Sequence, residues 1–185
     1  MERIHIMPYT SSDGVPTYRD SEIREFYNQV IEEGWGDIVF FDGSIQGQNH
    51  FLQKMKPNQW GESQNMLHIV YYKGIPAAMV WLNRFEKTHC YVHWLFFKAG
   101  RRVTKEIGIA VLEFLFNNYE VETLMGITPS FNKLALRFLK SIGLTSSCEI
   151  PGILWSSKKG KAIPGHMMFI NRGEEQNESH NESSN

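Results

Sequence analysis

The stretch Gly126-Ile127-Thr128-Pro129-Ser130-Phe131-Asn132-Lys133-Leu134-Ala135-Leu136-Arg137-Phe138-Leu139-Lys140-Ser141-Ile142-Gly143-Leu144 changes its period partway along. Leu124 to Thr128 reads as a short strand, and Ser130 is placed to cap a helix. In that helix Leu134, Ala135, Phe138 and Ile142 recur at helical spacing, and Gly143 stops it. A strand running directly into an amphipathic helix is the repeating unit of α/β architectures.

Upstream, the same change occurs once more. Cys90 to Phe97 is a strand-like run, Lys98-Ala99-Gly100-Arg101-Arg102 is a turn, and Val103, Ile107, Ala110, Val111 and Phe114 mark a helix over 102–117. Before it lie two further strand-like runs, Leu67 to Tyr72 and Ala77 to Phe85, each rich in β-branched and aromatic residues. Lys73-Gly74 and Glu86 to Thr88 are the turns, so the three runs predict an antiparallel meander. Toward the N-terminus, Ile4 to Met7 suits a strand and Asp13, Gly14 and Pro16 a loop. Ile23, Phe26, Tyr27, Val30 and Ile31 then form the stripe of a helix, capped at Asp20 or Ser21 and ended at Gly34, and a short helix is expected over 44–55. Downstream, Leu144 to Glu149 and His166 to Asn171 read as strands, with Ser156 to Gly165 as a polar, basic loop. The predicted class is α/β (α+β), with a single mixed, mainly antiparallel central sheet flanked by helices. Residues 1–172 form one expected domain, and 173–185, almost all Glu, Asn and Ser, an expected disordered tail.

Composition narrows the function classes. With 12 Phe, 7 Tyr and 5 Trp in 185 residues, the chain can bury a sizeable core. A net charge of -1, from 19 basic and 20 acidic residues, argues against broad phosphate-backbone binding. Cys90 and Cys148 are far apart and lack ligand spacing, and His5, His50, His68 and His166 show none either, so no metal is expected. No signal peptide and no run of the ~20 apolar residues that span a bilayer is visible. A soluble, cytoplasmic protein with no membrane partner is the expectation.

The turn at Lys98 to Arg102 carries the clearest chemical signal. A strand feeding a Gly-containing turn into a helix N-terminus presents free N–H groups and a positive dipole end to an anion. Arg101, Arg102 and Lys105 add cationic side chains. Neither a Walker loop nor G-x-G-x-x-G occurs.

The second segment, with Asn132, Ala135, Phe138, Lys140 and Gly143 in register, resembles the strand–helix unit of the GNAT (Gcn5-related N-acetyltransferase) family. By element order the resemblance covers roughly Leu67 to Asn171, and Ile150-Pro151-Gly152 is similar to a subset often found in phage genomes. It implies an acyltransferase that takes acetyl-CoA as co-substrate and acetylates an unidentified amine. It also implies that Gly100, Arg101, Arg102, Val103, Thr104 and Lys105 meet the pyrophosphate. The backbone of Leu95, Phe96 and Phe97 would pair with pantetheine and hold the oxyanion, and Asn132 and Phe138 would complete the cofactor site. Two departures stand out. Thr104 and Glu106 occupy positions that the family usually fills with Gly or Ala, and Leu139 stands where many members have a Tyr that protonates the thiolate.

Acetyl transfer needs a neutral amine, and deprotonating a lysine-like amine at pH 7 costs about 4–5 kcal/mol. His93, two residues before Leu95 on the same strand face, and Glu149 are the candidate bases, with His89 and Glu86 behind them. Trp81, Trp94 and Trp155 are candidates for lining the acceptor site, and Glu32, Glu33, Asp37 and Asp42 could make it acidic. A catalytically inactive GNAT-shaped interaction module is the alternative. A nucleic-acid binder using Arg101, Arg102, Lys105 and the Lys158 to Lys161 cluster is the weakest reading.

Overall fold

The strand-forming runs assemble into one sheet. The computed structural model describes residues 3–58 and 61–174. The predicted tail lies outside the described residues from 175 onward. At its start, Glu174 accepts hydrogen bonds from the backbone N–H of Asn171 (3.0 Å) and from its side chain (3.2 Å).

The strands are β1 (Ile4–Pro8), β2 (Ser11–Ser12), β3 (Val15–Pro16), β4 (Asn65–Tyr72), β5 (Ile75–Asn83), β6 (His89–Phe96), β7 (Thr123–Pro129), β8 (Thr145–Ser156) and β9 (Lys161–Asn171). The helices are α1 (Asp20–Glu32), α2 (Gly36–Val39), α3 (Gln48–Met55), α4 (Thr104–Asn118) and α5 (Lys133–Ser141). The main sheet has seven strands in the order β1-β4-β5-β6-β7-β9-β8. Only β6 and β7 run parallel, as the α4 crossover between them requires, and every other pair is antiparallel.

Alternation along the strands separates two apolar faces. Val70, Ala78, Val80, Leu82 and Val92 pack with Ile107, Val111, Leu112 and Leu115 of α4 and with Leu136 and Leu139 of α5. Leu67, Ile69, Met79, Trp81, Leu95 and Phe97 pack on the other face against Ile23, Phe26 and Val30 of α1 and Phe51, Leu52 and Met55 of α3. Burying each such side chain contributes about 1.5–3 kcal/mol.

The meander follows the predicted boundaries closely, and four details differ from expectation. Asp13 and Gly14, both with positive φ, make a hairpin turn joining β2 and β3 rather than a plain loop. Before α3 there is an extra short helix, α2. The cap of α5 is Asn132, whose side-chain oxygen accepts the Ala135 N–H at 3.2 Å, and not Ser130. The helix therefore starts later than expected. Leu136 and Leu139 face the core, and Leu134 is left 64% exposed. Finally, the predicted loop over 156–165 is mostly strand. β8 and β9 form one long hairpin that closes over Ser157 to Gly160, and the register shift between Ile150 and Leu154 takes up Pro151 and Gly152. An edge strand tolerates Pro there because its N–H is not needed by a neighbour.

Candidate active site

The site begins where a ladder stops. β6 and β7 pair only at His89↔Thr123, Cys90↔Leu124 and Tyr91↔Met125, and both strands continue without pairing to each other, to Phe96 and Pro129. At the fork Gly126 lets the strands approach closely: a Cβ there would lie 3.3 Å from the Val92 carbonyl oxygen. Beyond it a cavity of about 120 Å³ opens, lined by His93 and Trp94 of β6, Ile127 and Thr128 of β7, and Asn132 and Phe138 of α5, among others.

Backbone direction follows from one hydrogen bond. Phe97 donates its N–H to Ala77 at 2.9 Å, on the β5 side. Peptide groups alternate along a strand, so those of Leu95 and His93 also face β5. The groups of Trp94 and Phe96 face the opening toward β7. Among Leu95, Phe96 and Phe97, Phe96 is thus the residue with its N–H turned into the fork. Trp94 is the second, and the sequence alone assigns it no backbone role. The signal that finds it is the two-residue alternation once one pairing partner is known.

The turn after β6 is held from both sides. Gly100 packs on β5 so closely that a Cβ would sit 2.2 Å from the Ala77 carbonyl oxygen, so no other residue fits. The Glu33 carboxylate at the end of α1 accepts the Lys98 N–H at 2.6 Å and the Arg101 guanidinium at 2.8 Å. Arg101 also lies 4.6 Å from the centre of the Trp35 ring. Its charge is therefore spent on the protein, and it fastens the turn to α1. Arg102 and Lys105 are exposed and form no ion pair among the described residues. α4 starts at Thr104, and Val103 supplies no side-chain cap, so its first N–H groups stay open to an anion. Glu106 points to Arg3, 3.8 Å away, rather than across the helix end.

His93 is half-buried and stacks on Trp81, with ring centroids 5.0 Å apart. Its Nε2 lies 3.1 Å from the Asn83 side-chain oxygen, which can only accept, so Nε2 carries the proton and Nδ1 is the free acceptor. Burial first and the charge of Arg84 second push its pKa down to about 4, and Asp42 opposes them. His93 is thus neutral at pH 7 and too weak a base to hold a proton taken from an ammonium. Glu149 lies on the outer strand, 3.3 Å from His166 Nε2, and lines neither this cavity nor the larger one beside it. Trp81 and Trp94 line the fork, whereas Trp155 is 54% exposed on β8. Asn132 faces the fork, but its side-chain oxygen is engaged in the α5 cap. Leu139 is buried there and offers no proton.

The larger cavity, of about 380 Å³, meets the first at Val39, Phe41, Trp81, His93 and Ile127 and extends to Asp42, Lys54, Asn65 and Arg84. The segment over 36–45 roofs both. The β8–β9 tip clasps it through Lys158 to Asp37 at 2.8 Å and Ser157 N–H to the Phe41 carbonyl at 2.9 Å. His89 and Glu86 line neither cavity. Among the described residues no cluster of His, Cys, Asp and Glu is arranged to hold a metal, and no helix is long and apolar enough to cross a membrane.

No family model and no curated protein matches the chain. Solved structures do. The aminoglycoside acetyltransferase AAC(6')-Ib in complex with ribostamycin and coenzyme A superposes with a TM-score of 0.72 at 12% identity, over 97% of this chain and 99% of that one. The spermidine N-acetyltransferase from Vibrio cholerae, in complex with CoA and spermine, gives 0.71 at 9% identity over 95% and 99%. The Campylobacter jejuni N-acetyltransferase PseH gives 0.62 at 13% identity over 92% and 99%. At these identities the likeness establishes the fold, and the fold is that of the GNAT acetyltransferases.

Proposed function

We propose that the protein is an N-acetyltransferase that moves the acetyl group of acetyl-CoA to an amine. The observation that carries this reading is the fork between β6 and β7, filled by a cavity that reaches both faces of the sheet. One face carries the uncapped α4 N-terminus with Arg102 and Lys105, suited to a diphosphate. The other carries the larger cavity past His93, suited to an acceptor. The neighbours in complex with CoA and with the amines ribostamycin and spermine support a protein that takes a CoA co-substrate and an amine acceptor.

In the reaction the amine nitrogen attacks the thioester carbonyl carbon. The C–S bond breaks, the amide forms, the nitrogen gives a proton to water, and the thiolate takes one from water to leave as CoA. The Trp94 and Phe96 N–H groups, turned into the fork, are the donors for the oxyanion. A thiol's pKa of ~8.5 lets it leave without an acid, which fits Leu139. His93 orients the amine through Nδ1 rather than serving as the base. We place the reaction in the cytoplasm, in keeping with the free thiols Cys90 and Cys148. The phage subset suggested by Ile150 to Gly152 has no support in these neighbours.

Thiol release from acetyl-CoA, followed over pH with an amine panel, tests the reading. The expected kcat/KM rises with pH along the acceptor's own ionisation and shows no inflection near 6.5, and His93→Gln lowers it without changing that shape. A bell or shoulder near 6.5 that vanishes in His93→Gln would restore His93 as the base.

A further inference from the structure

The larger cavity has a charge pattern that no part of the acetyl-transfer reading requires. Its titratable lining consists of Asp42, Lys54, Arg84, Tyr91 and His93. The one carboxylate is outnumbered by the two cations, and one of its oxygens is held by neutral donors: it accepts the Ser44 N–H at 3.0 Å and the Ser44 hydroxyl at 2.7 Å. The two cations have no acidic partner among the described residues. The Arg84 guanidinium lies over the Tyr91 ring, 5.4 Å from its centre, and the Lys54 ammonium makes no hydrogen bond to any described residue. Glu32, Glu33 and Asp37 do not line the cavity, and Glu33 and Asp37 pair instead with Arg101 and Lys158. Arg84 also sits at a φ of 50°, a left-handed conformation that a long side chain adopts at a cost. Between the cations, Asn83 donates to Asn65 at 3.1 Å while its oxygen faces His93, so an amide row joins the fork to the cationic end.

We propose that the acceptor carries an anionic group, carboxylate or phosphate, which Arg84 and Lys54 bind while its amine reaches His93 and the fork. This rests on the reading of the larger cavity as the acceptor side. A polycation would meet two positive charges without an acidic partner among the described residues against a single carboxylate, whereas an amine with an anion at its other end is matched by both signs. The same cations help the chemistry, because positive charge near an amine favours its neutral, nucleophilic form. Arginine in particular offers the paired donors that carboxylate and phosphate accept.

The experiment uses matched probes on the full chain, with and without acetyl-CoA: glucosamine 6-phosphate against glucosamine, β-alanine against its amide, and spermidine as the polycation. Binding is read from NMR shifts of the Asn83 to Tyr91 backbone, and transfer from thiol release. The expected result is at least tenfold tighter binding of the anionic member of one pair. Which pair discriminates tells phosphate from carboxylate. Arg84→Glu, and separately Lys54→Glu, should erase the preference while leaving the melting temperature and acetyl-CoA affinity unchanged. Spermidine as the tightest probe, no discrimination in either pair, or a preference that survives both variants would overturn the proposal. Anion binding at these residues in a protein that takes up no acetyl-CoA would contradict the acetyltransferase reading and leave the anion site standing. Acetylation of spermidine in preference to the anionic amines would do the reverse.

Discussion

The two faces of the sheet at the fork are built by different means. On the α4–α5 face, regular elements do the placing: a parallel strand pair that ends early, an uncapped helix start, and a helix whose Phe138 packs edge-on to Trp94 and Phe96. On the α1–α3 face, the cavity is enclosed by the irregular segment over 36–45 and the β8–β9 tip, tied by side chains far apart in sequence such as Asp37 and Lys158. The first face is set by backbone geometry and tolerates little change. The second is set by side chains from strands, helices and the connecting segments over 40–45, and such connections are the material in which substrate choice can vary while the fold stays the same.

The sharpest way to break that contrast is to add volume at the fork. Gly126→Val puts atoms against the Val92 carbonyl and into the opening. Acetyl-CoA affinity should fall at least ~100-fold, about 2.7 kcal/mol, with some loss of stability from overpacking. Calorimetry and thermal melting read the two effects, and an unchanged affinity would mean that the cofactor does not use the fork.

Charge at the turn separates binding from fastening. Arg102→Glu with Lys105→Glu should weaken acetyl-CoA by roughly 10- to 100-fold, about 1.4–2.7 kcal/mol, with the melting temperature intact. Arg101→Glu should do something else. It would set two carboxylates together at Glu33 and loosen the turn, so it lowers the melting temperature. Equal melting losses in both variants would remove the distinction.

A pH-dependent effect separates the two histidines on opposite faces. His68, 1% exposed and 2.6 Å from the Tyr119 hydroxyl, has its pKa pushed down to about 4 by burial. The unfolded chain therefore binds a proton that the folded one refuses between ~6.5 and about 4. Stability is full above that window and is lost as pH falls through it, by up to about 1.4 kcal/mol per pH unit for this group. Denaturant unfolding across the window should show that slope, and His68→Asn should remove its share and leave that of His93, whose pKa burial lowers likewise. His93, on the α1–α3 face beside the larger cavity, should also shape acetyl-transfer rates, which His68 should not.

The same contrast decides what was legible in the sequence. The meander, α4, and the turn at Gly100 could be read because period, turn residues and β-branched content are local signals. The helix after β7 was legible too, but its cap was not, since Ser130 and Asn132 are both good caps and only the packing of Leu136 and Leu139 chooses between them. Arg101 reads as a free cation in the sequence because its charge is visible there and its partner Glu33, 68 residues away, is not. The weak basicity of His93 was equally hidden, because it comes from Trp81, Arg84 and burial rather than from the histidine itself. The larger cavity was the least legible part, because Lys54, Arg84 and Asp42 meet only in the folded chain.

The central claim is that the fork and the turn after β6 form an acetyl-CoA site. Calorimetric titration of the full-length protein with acetyl-CoA, with free CoA alongside, tests it most directly. One site per chain with a micromolar Kd, weakened in Gly126→Val and in the Arg102, Lys105 double variant, is the predicted result. No heat of binding at millimolar acetyl-CoA would contradict it.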